Sequence, residues 1–396
     1  MLICAGRVLT GGRGQYLTDG AVLIKDGLIA AVGSRDEIEA QAPADVPRLH
    51  YPAGTLMPGL IDAHVHLIFD GGADPVASLE QQDDEALLKD MRARAEQLVR
   101  IGVTTARDLG DRGHLALRLA QAIEQGTAAG PRIISAGIPA TPPGGHCWFL
   151  GGEVSGEREI RELVRRNADA GARVIKVMET GGGLTKGGAK SHETQFAPAD
   201  LATVVDAARA AGLPVAAHAH GVDGITAAVQ AGVDTIEHCT WMTEDGIEVH
   251  DDVLDEIVAK GIHVCPAVSP HWKMLPRFFG PERAQAMFDA VQRMAEAGVR
   301  LIAGTDAGVQ RAGHDGLVAA LEFYEHLGVP NERILEMATS EAADALGVAD
   351  TTGQIKVGYS ADILVVDGDP LTDLTALDDV RAVFARGVRC YRPGQA

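Results

Sequence analysis

Residues 58–66 read Pro-Gly-Leu-Ile-Asp-Ala-His-Val-His, an apolar run that ends in two alternating histidines. The run from Leu56 to Ile61 predicts a β-strand. Side chains two positions apart on an extended chain point to the same side, so His64 and His66 can grip one ion together. This stretch therefore predicts a strand that carries two metal ligands at its end.

The combination of a short apolar run and a following amphipathic helix recurs along the chain, which is typical of βα units and a parallel sheet. Eight runs predict strands: Leu56–Ile61, Thr104–Arg107, Arg132–Ser135, Val174–Val177, Val215–Ala217, Thr235–Glu237, His263–Cys265 and Leu301–Ala303. The predicted helices include Glu80–Arg100, Ala199–Ala211, Asp223–Ala231 and Arg283–Ala297. Eight βα units that close on themselves predict an α/β fold, a (β/α)8 TIM barrel, although a doubly wound open sheet has the same periodicity.

The two ends of the chain have a different texture, with short β-like stretches and glycine turns and no helical period. Residues 1–55 contain predicted strands at Leu2–Cys4, Ala21–Ile24 and Ile29–Val32, and residues 351–396 contain them at Ala361–Val366 and Val380–Val388. Because chain termini often lie close together, both ends are expected to form one small β-sandwich domain beside a barrel of residues 56–350.

The composition is that of a globular enzyme and excludes some partners. The chain has 396 residues, 46% of them hydrophobic, and a formal net charge of -20, which repels phosphate backbones and anionic membranes. No nucleic acid and no membrane partner are therefore expected, and the partner is a small-molecule substrate. No signal-peptide pattern and no run of 18 apolar residues appears, which predicts a cytoplasmic protein. Five scattered cysteines suggest no disulfide framework.

Polar residues follow the predicted strands at the edge where a barrel carries its catalytic groups. A single His-x-His, or a single aspartate after Gly-Thr, is weak evidence, because it also suits packing or a helix cap. A set of imidazole, lysine and carboxylate groups on separate strands is hard to explain as satisfied core polar groups. The set comprises His64, His66, Lys176, His218, His220, His238 and Asp306.

With these motifs in this order, the sequence resembles the amidohydrolase superfamily across essentially the whole chain. The resemblance rests on residues 58–66, on His218 and His238, on Gly304-Thr-Asp306, and on Gly353-Gln-Ile-Lys-Val-Gly-Tyr-Ser-Ala-Asp362. Val174-Ile-Lys176-Val-Met before a glycine-rich turn looks like the branch of prolidase-like dipeptidases, zinc-dependent arginine carboxypeptidases, ochratoxin-type amidases and imidazolonepropionase-related amidohydrolases.

The resemblance implies a centre of two zinc ions, with Mn, Fe or Co also suited to such ligands. His64, His66 and Asp306 would bind the first ion and His218 and His238 the second. A carboxylated Lys176 (N6-carboxylysine) would bridge them, because a carbamate offers two oxygens. The choice of His218 over His220 comes from the family; on the residues alone either would serve. Asp306 would act as general base and acid for a hydroxide held between the metals.

Candidate substrate-binding residues surround this centre. His146, in the glycine-rich loop 142–153 with Trp148, matches a family histidine near the substrate carbonyl and is assigned both a catalytic and a binding role, although a plain surface loop is the alternative. His220 is expected to contact substrate or to have a structural role. Glu179 suits a substrate amine or solvent. Arg107 suits a substrate carboxylate or an ion pair with a nearby aspartate.

The leading functional hypothesis is hydrolysis of an amide or peptide bond in a dipeptide or N-acyl amino acid. The same centre could hydrolyse a lactone, a carbamate or a phosphoester. A catalytically silent barrel is the third hypothesis, against which the complete ligand set argues. A homo-oligomer is compatible with the resemblance, since relatives are often assemblies.

Overall fold

The computed structural model describes residues 1–11 and 16–394 of the chain. Its strands are β1 (Leu2–Leu9), β2 (Tyr16–Lys25), β3 (Leu28–Ser34), β4 (Arg48–Pro58), β5 (Leu60–Val65), β6 (Val103–Asp108), β7 (Arg132–Ser135), β8 (Ile175–Met178), β9 (Val215–Gly221), β10 (Thr235–Met242), β11 (His263–Cys265), β12 (Arg300–Leu301), β13 (Ile363–Asp367), β14 (Val380–Ala385) and β15 (Val388–Tyr391). The arrangement is an α/β fold, with helices between the successive strands of its central part.

The helices are α1 (Arg35–Gln41), α2 (Pro75–Glu80), α3 (Asp84–Arg100), α4 (Leu115–Glu124), α5 (Gly156–Asp169), α6 (Pro198–Ala210), α7 (Val222–Ala231), α8 (Asp251–Lys260), α9 (Leu275–Phe279), α10 (Pro281–Glu296), α11 (Leu317–His326), α12 (Asn331–Met337) and α13 (Ser340–Ala345). Short 3-10 helices cover Trp148–Leu150, Trp272–Met274 and Leu374–Asp378. Every helix in the described ranges is too short or too polar to cross a lipid bilayer.

Both ends of the chain contribute to one seven-stranded sheet with the order β15-β14-β13-β4-β1-β2-β3. β4 joins the two ends, since it pairs in parallel with β1 and antiparallel with β13. The pairings connect all seven strands in a single sheet, and the facing of its two halves as a sandwich stays a prediction. The prediction of no helix near the amino terminus is wrong: α1 forms there, and Ser34 and Glu37 cap it with a reciprocal capping box.

Eight parallel strands, β5 to β12, form the central part of the chain and pair in two sheets, β5-β6-β7 and β12-β11-β10-β9-β8. Backbone hydrogen bonds also connect the edges of these sheets. Ala140 N donates to Lys176 O at 2.8 Å at one junction, and Asp306 N donates to His64 O at 2.8 Å at the other. The predicted alternation of eight strands with helices is therefore present, although the strand ladder itself is interrupted at two places.

The strand bounds differ from the prediction where the candidate ligands lie. Residues 56–58 belong to β4, so the first strand of the parallel series begins at Leu60 and includes His64. β9 continues through His218 and His220, which were expected just beyond its end. The predicted helix over residues 80–100 is interrupted at Asp83, whose side chain accepts from Ala86 N and starts α3.

Asp362 ties the terminal sheet to the parallel strands. Its buried carboxylate accepts from Arg386 N at 2.8 Å, from Thr352 Oγ1 at 2.9 Å and from Arg132 Nη2 at 3.2 Å, and Arg132 opens β7. The backbone carbonyl of Asp362 also accepts from Gly59 N at 2.9 Å. This one residue therefore links both strand systems.

We predict that Asp362→Ala lowers the free energy of unfolding by about 3 kcal/mol, because it leaves buried donors without their acceptor. Asp379→Ala is the control, since Asp379 forms an exposed pair with Arg381 and should cost about 0.5 kcal/mol. Urea denaturation measures both, and equal losses would contradict the linking role.

Candidate metal centre

A polar layer lies in the interior of the parallel strands and consists of Arg107 from β6, Lys176 from β8 and Glu237 from β10, each 0–2% exposed. The Glu237 carboxylate accepts from Arg107 Nη2 at 2.7 Å and from Thr235 Oγ1 at 2.6 Å. Burial acts to raise the pKa of Glu237, but the Arg107 charge and the His64 hydrogen bond lower it below the usual value. Glu237 is therefore an ionised acceptor in the core.

This layer orients His64, whose Nδ1 lies 2.9 Å from Glu237 Oε2. An ionised carboxylate can only accept, so Nδ1 carries the hydrogen and Nε2 keeps its lone pair. Burial, followed by the Lys176 charge, lowers the pKa of His64 to about 4 and keeps the ring neutral. His66 is oriented in the same way, because its Nδ1 lies 3.1 Å from the carbonyl oxygen of Gly110. Such outer partners are usual for histidines that ligate metals.

Both oriented nitrogens converge on Asp306. Oδ1 of Asp306 lies 3.3 Å from His64 Nε2 and 3.4 Å from His66 Nε2. A tetrahedral ion with bonds of about 2.0–2.1 Å holds its ligand atoms about 3.4 Å apart. The neutral His64 ring and the ionised Asp306 carboxylate would repel as two acceptors, and a cation between them removes this conflict. The residues present therefore fit a metal ion.

Lys176 adds an amine without a partner to the same region. Its side chain is fully buried, and Nζ has no hydrogen-bond partner among the described residues. Burial lowers the pKa of Lys176 to about 8, against the raising effect of the Glu237 and Asp306 charges. A buried amine that makes no hydrogen bond is costly unless a further group completes it.

A second group of possible ligands consists of His218, His220 and His238, whose ring nitrogens lie within 4.8 Å of one another. The His220 and His238 rings stack with their centroids 4.3 Å apart. The centroids of the His238 and His64 rings are 5.1 Å apart. His218 Nε2 is bonded to Gly181 O at 3.1 Å, and His220 Nδ1 is bonded to Thr240 Oγ1 at 2.9 Å. Each ring keeps one nitrogen free, so this geometry does not choose between His218 and His220.

The backbone at the centre is strained. His238 and Asp306 have φ values of 70° and 57°, which non-glycine residues rarely adopt. Such conformations persist where the surrounding structure enforces them, as it often does at functional sites. Gly304 allows the segment after β12 to approach β5 and β11, because a Cβ there would lie 2.5 Å from Cys265 Sγ and 2.9 Å from His64 Cβ.

His146 is held over the centre by the segment that follows β8. Its backbone N donates to Gln195 Oε1 at 2.7 Å, and its Nδ1 lies 3.3 Å from Thr185 Oγ1. The imidazole lies so close to Gly182 that a Cβ there would be 2.5 Å from the ring. The His146 and His218 ring centroids are 4.7 Å apart, so His146 is positioned beside the ligand group.

A cavity of about 240 Å³ opens onto these groups. Its wall includes every predicted metal ligand together with His146 and His220: His64, His66, His146, Lys176, His218, His220, His238 and Asp306. The remaining wall residues are Cys147, Met178, Gly183, Leu184, Val309 and Gln310.

Three predicted substrate residues lie outside this wall. Arg107 is buried with its guanidinium on Glu237, so its predicted contact with a substrate carboxylate is withdrawn. Glu179 is fully buried, and burial raises the pKa of its carboxyl to about 8, so it offers no exposed charge to a substrate amine. Trp148 is 45% exposed and lies on the surface beyond the cavity.

Several residues that shape the centre were missed by the sequence analysis. Glu237 orients His64, Asp62 accepts from His64 N and Thr305 Oγ1, and Gln195 holds His146. The one available signal was a pair of opposite charges, Arg107 and Glu237, inside predicted buried strands.

A larger crevice of about 650 Å³ lies at the amino ends of β9, β10 and β11 and includes His263 and Asp344. Asp344 is paired there with Arg300. Catalytic groups of parallel barrels gather at the carboxyl ends of their strands, so we place the chemistry at the smaller cavity.

We predict that Glu237→Gln weakens metal binding about 10–100-fold, because the neutral amide no longer fixes the His64 tautomer. A chelator-competition titration measures the affinity. Glu341→Gln is the matched control, since Glu341 is paired with Arg300 away from the cavity. Unchanged affinity in Glu237→Gln would remove the orienting role.

Comparison with known proteins identifies the family of this chain. A family model described as "Amidohydrolase family" matches residues 55–390, and one for an imidazolonepropionase-like composite domain of bacteria matches residues 20–44. The chain is 30% identical to the ochratoxinase of Aspergillus niger, with 96% of this chain and 84% of that protein covered. It is 26% identical to the imidazolonepropionase of Mesorhizobium japonicum, with 88% and 86% covered.

A solved structure of a related enzyme has the same fold. A Xaa-Pro dipeptidase with methionine bound in its active site superposes with a TM-score of 0.87 at 28% identity, over 99% of both chains. The family match spans most of the chain and includes all the candidate ligands. This chain belongs to the amidohydrolase family, a family of hydrolases that act on carbon–nitrogen bonds.

Proposed function

We propose that this chain is a metal-dependent hydrolase that cleaves an amide or peptide bond at the cavity bounded by His64, His66 and Asp306. The observation that carries the proposal is the convergence of two oriented imidazole nitrogens on one carboxylate oxygen, at 3.3 and 3.4 Å. A cation is the simplest group that satisfies all three atoms. The names of the relatives support an amide substrate, since ochratoxinase and a dipeptidase are among them.

Two ions would be held by the cavity wall. His64, His66 and Asp306 would ligate the first ion and His218 and His238 the second, with zinc preferred and Mn, Fe or Co also suited. A carboxylated Lys176 would bridge them. In that modification the neutral amine attacks carbon dioxide and loses a proton, which leaves a carbamate with two oxygens. The absence of a hydrogen-bond partner for Lys176 Nζ among the described residues supports this modification.

The protein's own groups then have defined tasks. When bound, metal ions supply Lewis-acid chemistry and make water a nucleophile at neutral pH. Asp306 accepts the proton of the attacking water and returns it to the leaving nitrogen. His146, held by Gln195 and Thr185, points its ring at the cavity and donates a hydrogen bond to the substrate carbonyl oxygen.

The fold supports this arrangement if the eight strands act as a closed (β/α)8 barrel with a small sandwich from both termini. Buried side chains from β5, β7, β9 and β11 form one apolar cluster, which resembles the layers from alternate strands inside such barrels. A separate cluster from β1, β2, β3, β4, β13 and β14 supports a terminal sheet that curls over its own core.

Metal analysis tests the centre. We expect purified protein to hold two transition-metal ions per chain, and we expect a chelator to abolish hydrolysis reversibly. Lys176→Met should reduce the metal content to one ion or less, because the bridge is lost. Lys186→Met is the matched control, since Lys186 is 85% exposed and paired with Asp74. A full metal complement in Lys176→Met would refute the bridge.

Replacement of Asp306 tests the chemistry. Asp306→Asn should lower kcat for amide hydrolysis about 10²–10⁴-fold, because the amide cannot carry the proton. The exposed Asp245→Asn variant is the control and should behave as the parent. Full activity in Asp306→Asn, or hydrolysis of lactones or phosphoesters without any hydrolysis of amides, would contradict the proposed function.

A further inference from the structure

Among the residues that the structure describes, the cavity wall carries no charged side chain beyond the metal centre itself. Apart from the imidazoles, Lys176 and Asp306, the wall consists of Cys147, Met178, Gly183, Leu184, Val309 and Gln310. Three of these are apolar side chains, one is a thiol, one is a glycine and one is a neutral carboxamide. Such a wall offers dispersion and apolar burial to a substrate, and no counter-ion.

The two charged residues that the sequence placed near a substrate, Arg107 and Glu179, lie outside the wall. The Arg107 guanidinium is bonded to Glu237 in the core, and Glu179 is fully buried. Lys186, at the tip of the glycine-rich segment, is paired with Asp74 at 2.9 Å. Arg311 is exposed next to Gln310, outside the wall, and is a candidate for a carboxylate partner.

Aromatic side chains extend the apolar character from the centre to the surface. Phe69 lies 5.7 Å from the His66 ring, Phe149 lies 6.3 Å from Phe69, and Trp148 lies 6.1 Å from Phe149, all between ring centroids. Trp148 is 45% exposed at the end of this series. Phe69 is fully buried, so Trp148 is the exposed aromatic side chain of this series.

We infer that the preferred substrates are uncharged amides that carry an apolar acyl chain, in place of the free dipeptides and N-acyl amino acids expected from the sequence. The inference rests on the proposed amide hydrolysis. An α-carboxylate lies two bonds from the scissile nitrogen, so it must enter the cavity, where it would lose water. Apart from the metal centre itself, the described wall residues offer it no cationic side chain. An acyl chain would pack against Met178, Leu184 and Val309.

Matched substrate pairs test this inference. We compare N-acyl-phenylalanine with N-acyl-phenylalaninamide, which differ only in an α-carboxylate or an α-carboxamide, and measure the carboxylic acid released by the metal-loaded 396-residue chain. The carboxamide should have a kcat/KM roughly tenfold higher or more. Lengthening the acyl chain from acetyl should raise kcat/KM about fourfold per methylene until the cavity is filled.

Variants connect the effect to the wall. Leu184→Ala should reduce the gain per methylene, whereas Leu213→Ala, a half-buried leucine just before β9 and outside the cavity, should retain it. The thermal midpoints of both variants are measured alongside, so that unfolding is not mistaken for lost selectivity. The same gain per methylene in the folded Leu184→Ala variant would overturn this assignment.

Two outcomes separate the inference from the function on which it rests. Equal or faster hydrolysis of the carboxylate substrate overturns the inference and leaves amide hydrolysis standing. If that preference disappears in Arg311→Ala, the carboxylate is bound by Arg311 and the wall is not what selects. Hydrolysis of neither substrate by metal-loaded protein overturns the proposed function together with the inference.

Discussion

The buried carboxylate of Glu237 connects the interior of the parallel strands with the candidate metal centre. It accepts from Arg107, Thr235 and His64, and so neutralises a core guanidinium while it fixes one imidazole. Each of these groups would be costly alone, because a buried charge or donor without a partner loses its hydration and gains nothing in return. Together Glu237, Arg107, Thr235 and His64 form a hydrogen-bonded network that orients one of the candidate ligands.

The ligand positions follow from that network and from a second constraint, the close approach of β5 to the segment after β12. Asp62 accepts from both segments, and Gly304 removes the side chain that would separate them. Asp306 Oδ1 thereby lies 3.3 Å from His64 Nε2, and the backbone of Asp306 adopts a left-handed conformation. The centre is thus preorganised by the fold, which is the property that electrostatic catalysis requires.

The sequence predicted the parts of this structure that depend on local pattern. Alternating strands and helices are visible as periodicity, and His64, His66, His238 and Asp306 are visible because ligand types stand near strand ends. Contacts between distant residues have no such signal: Arg107 and Glu237 are 130 positions apart, and the pattern shows two charges without showing that they meet. The same limit explains the withdrawn role of Arg107.

The predicted strand boundaries near the ligands were wrong for a related reason. The apolar run before His64 contains the end of β4 and the start of β5, which belong to different sheets. Its composition does not show where the first strand ends. His218 and His220 are two positions apart on β9, so their side chains leave the same side of the strand and the sequence pattern does not distinguish their roles.

Anomalous diffraction at the absorption edge of the bound metal tests the central claim most directly. The account predicts two peaks, one between His64, His66 and Asp306 and one beside His218 and His238, joined by continuous density at the end of Lys176. A single peak with a bare Lys176 amine would contradict the bridged pair, and no peak at Asp306 in active crystals would contradict the account as a whole.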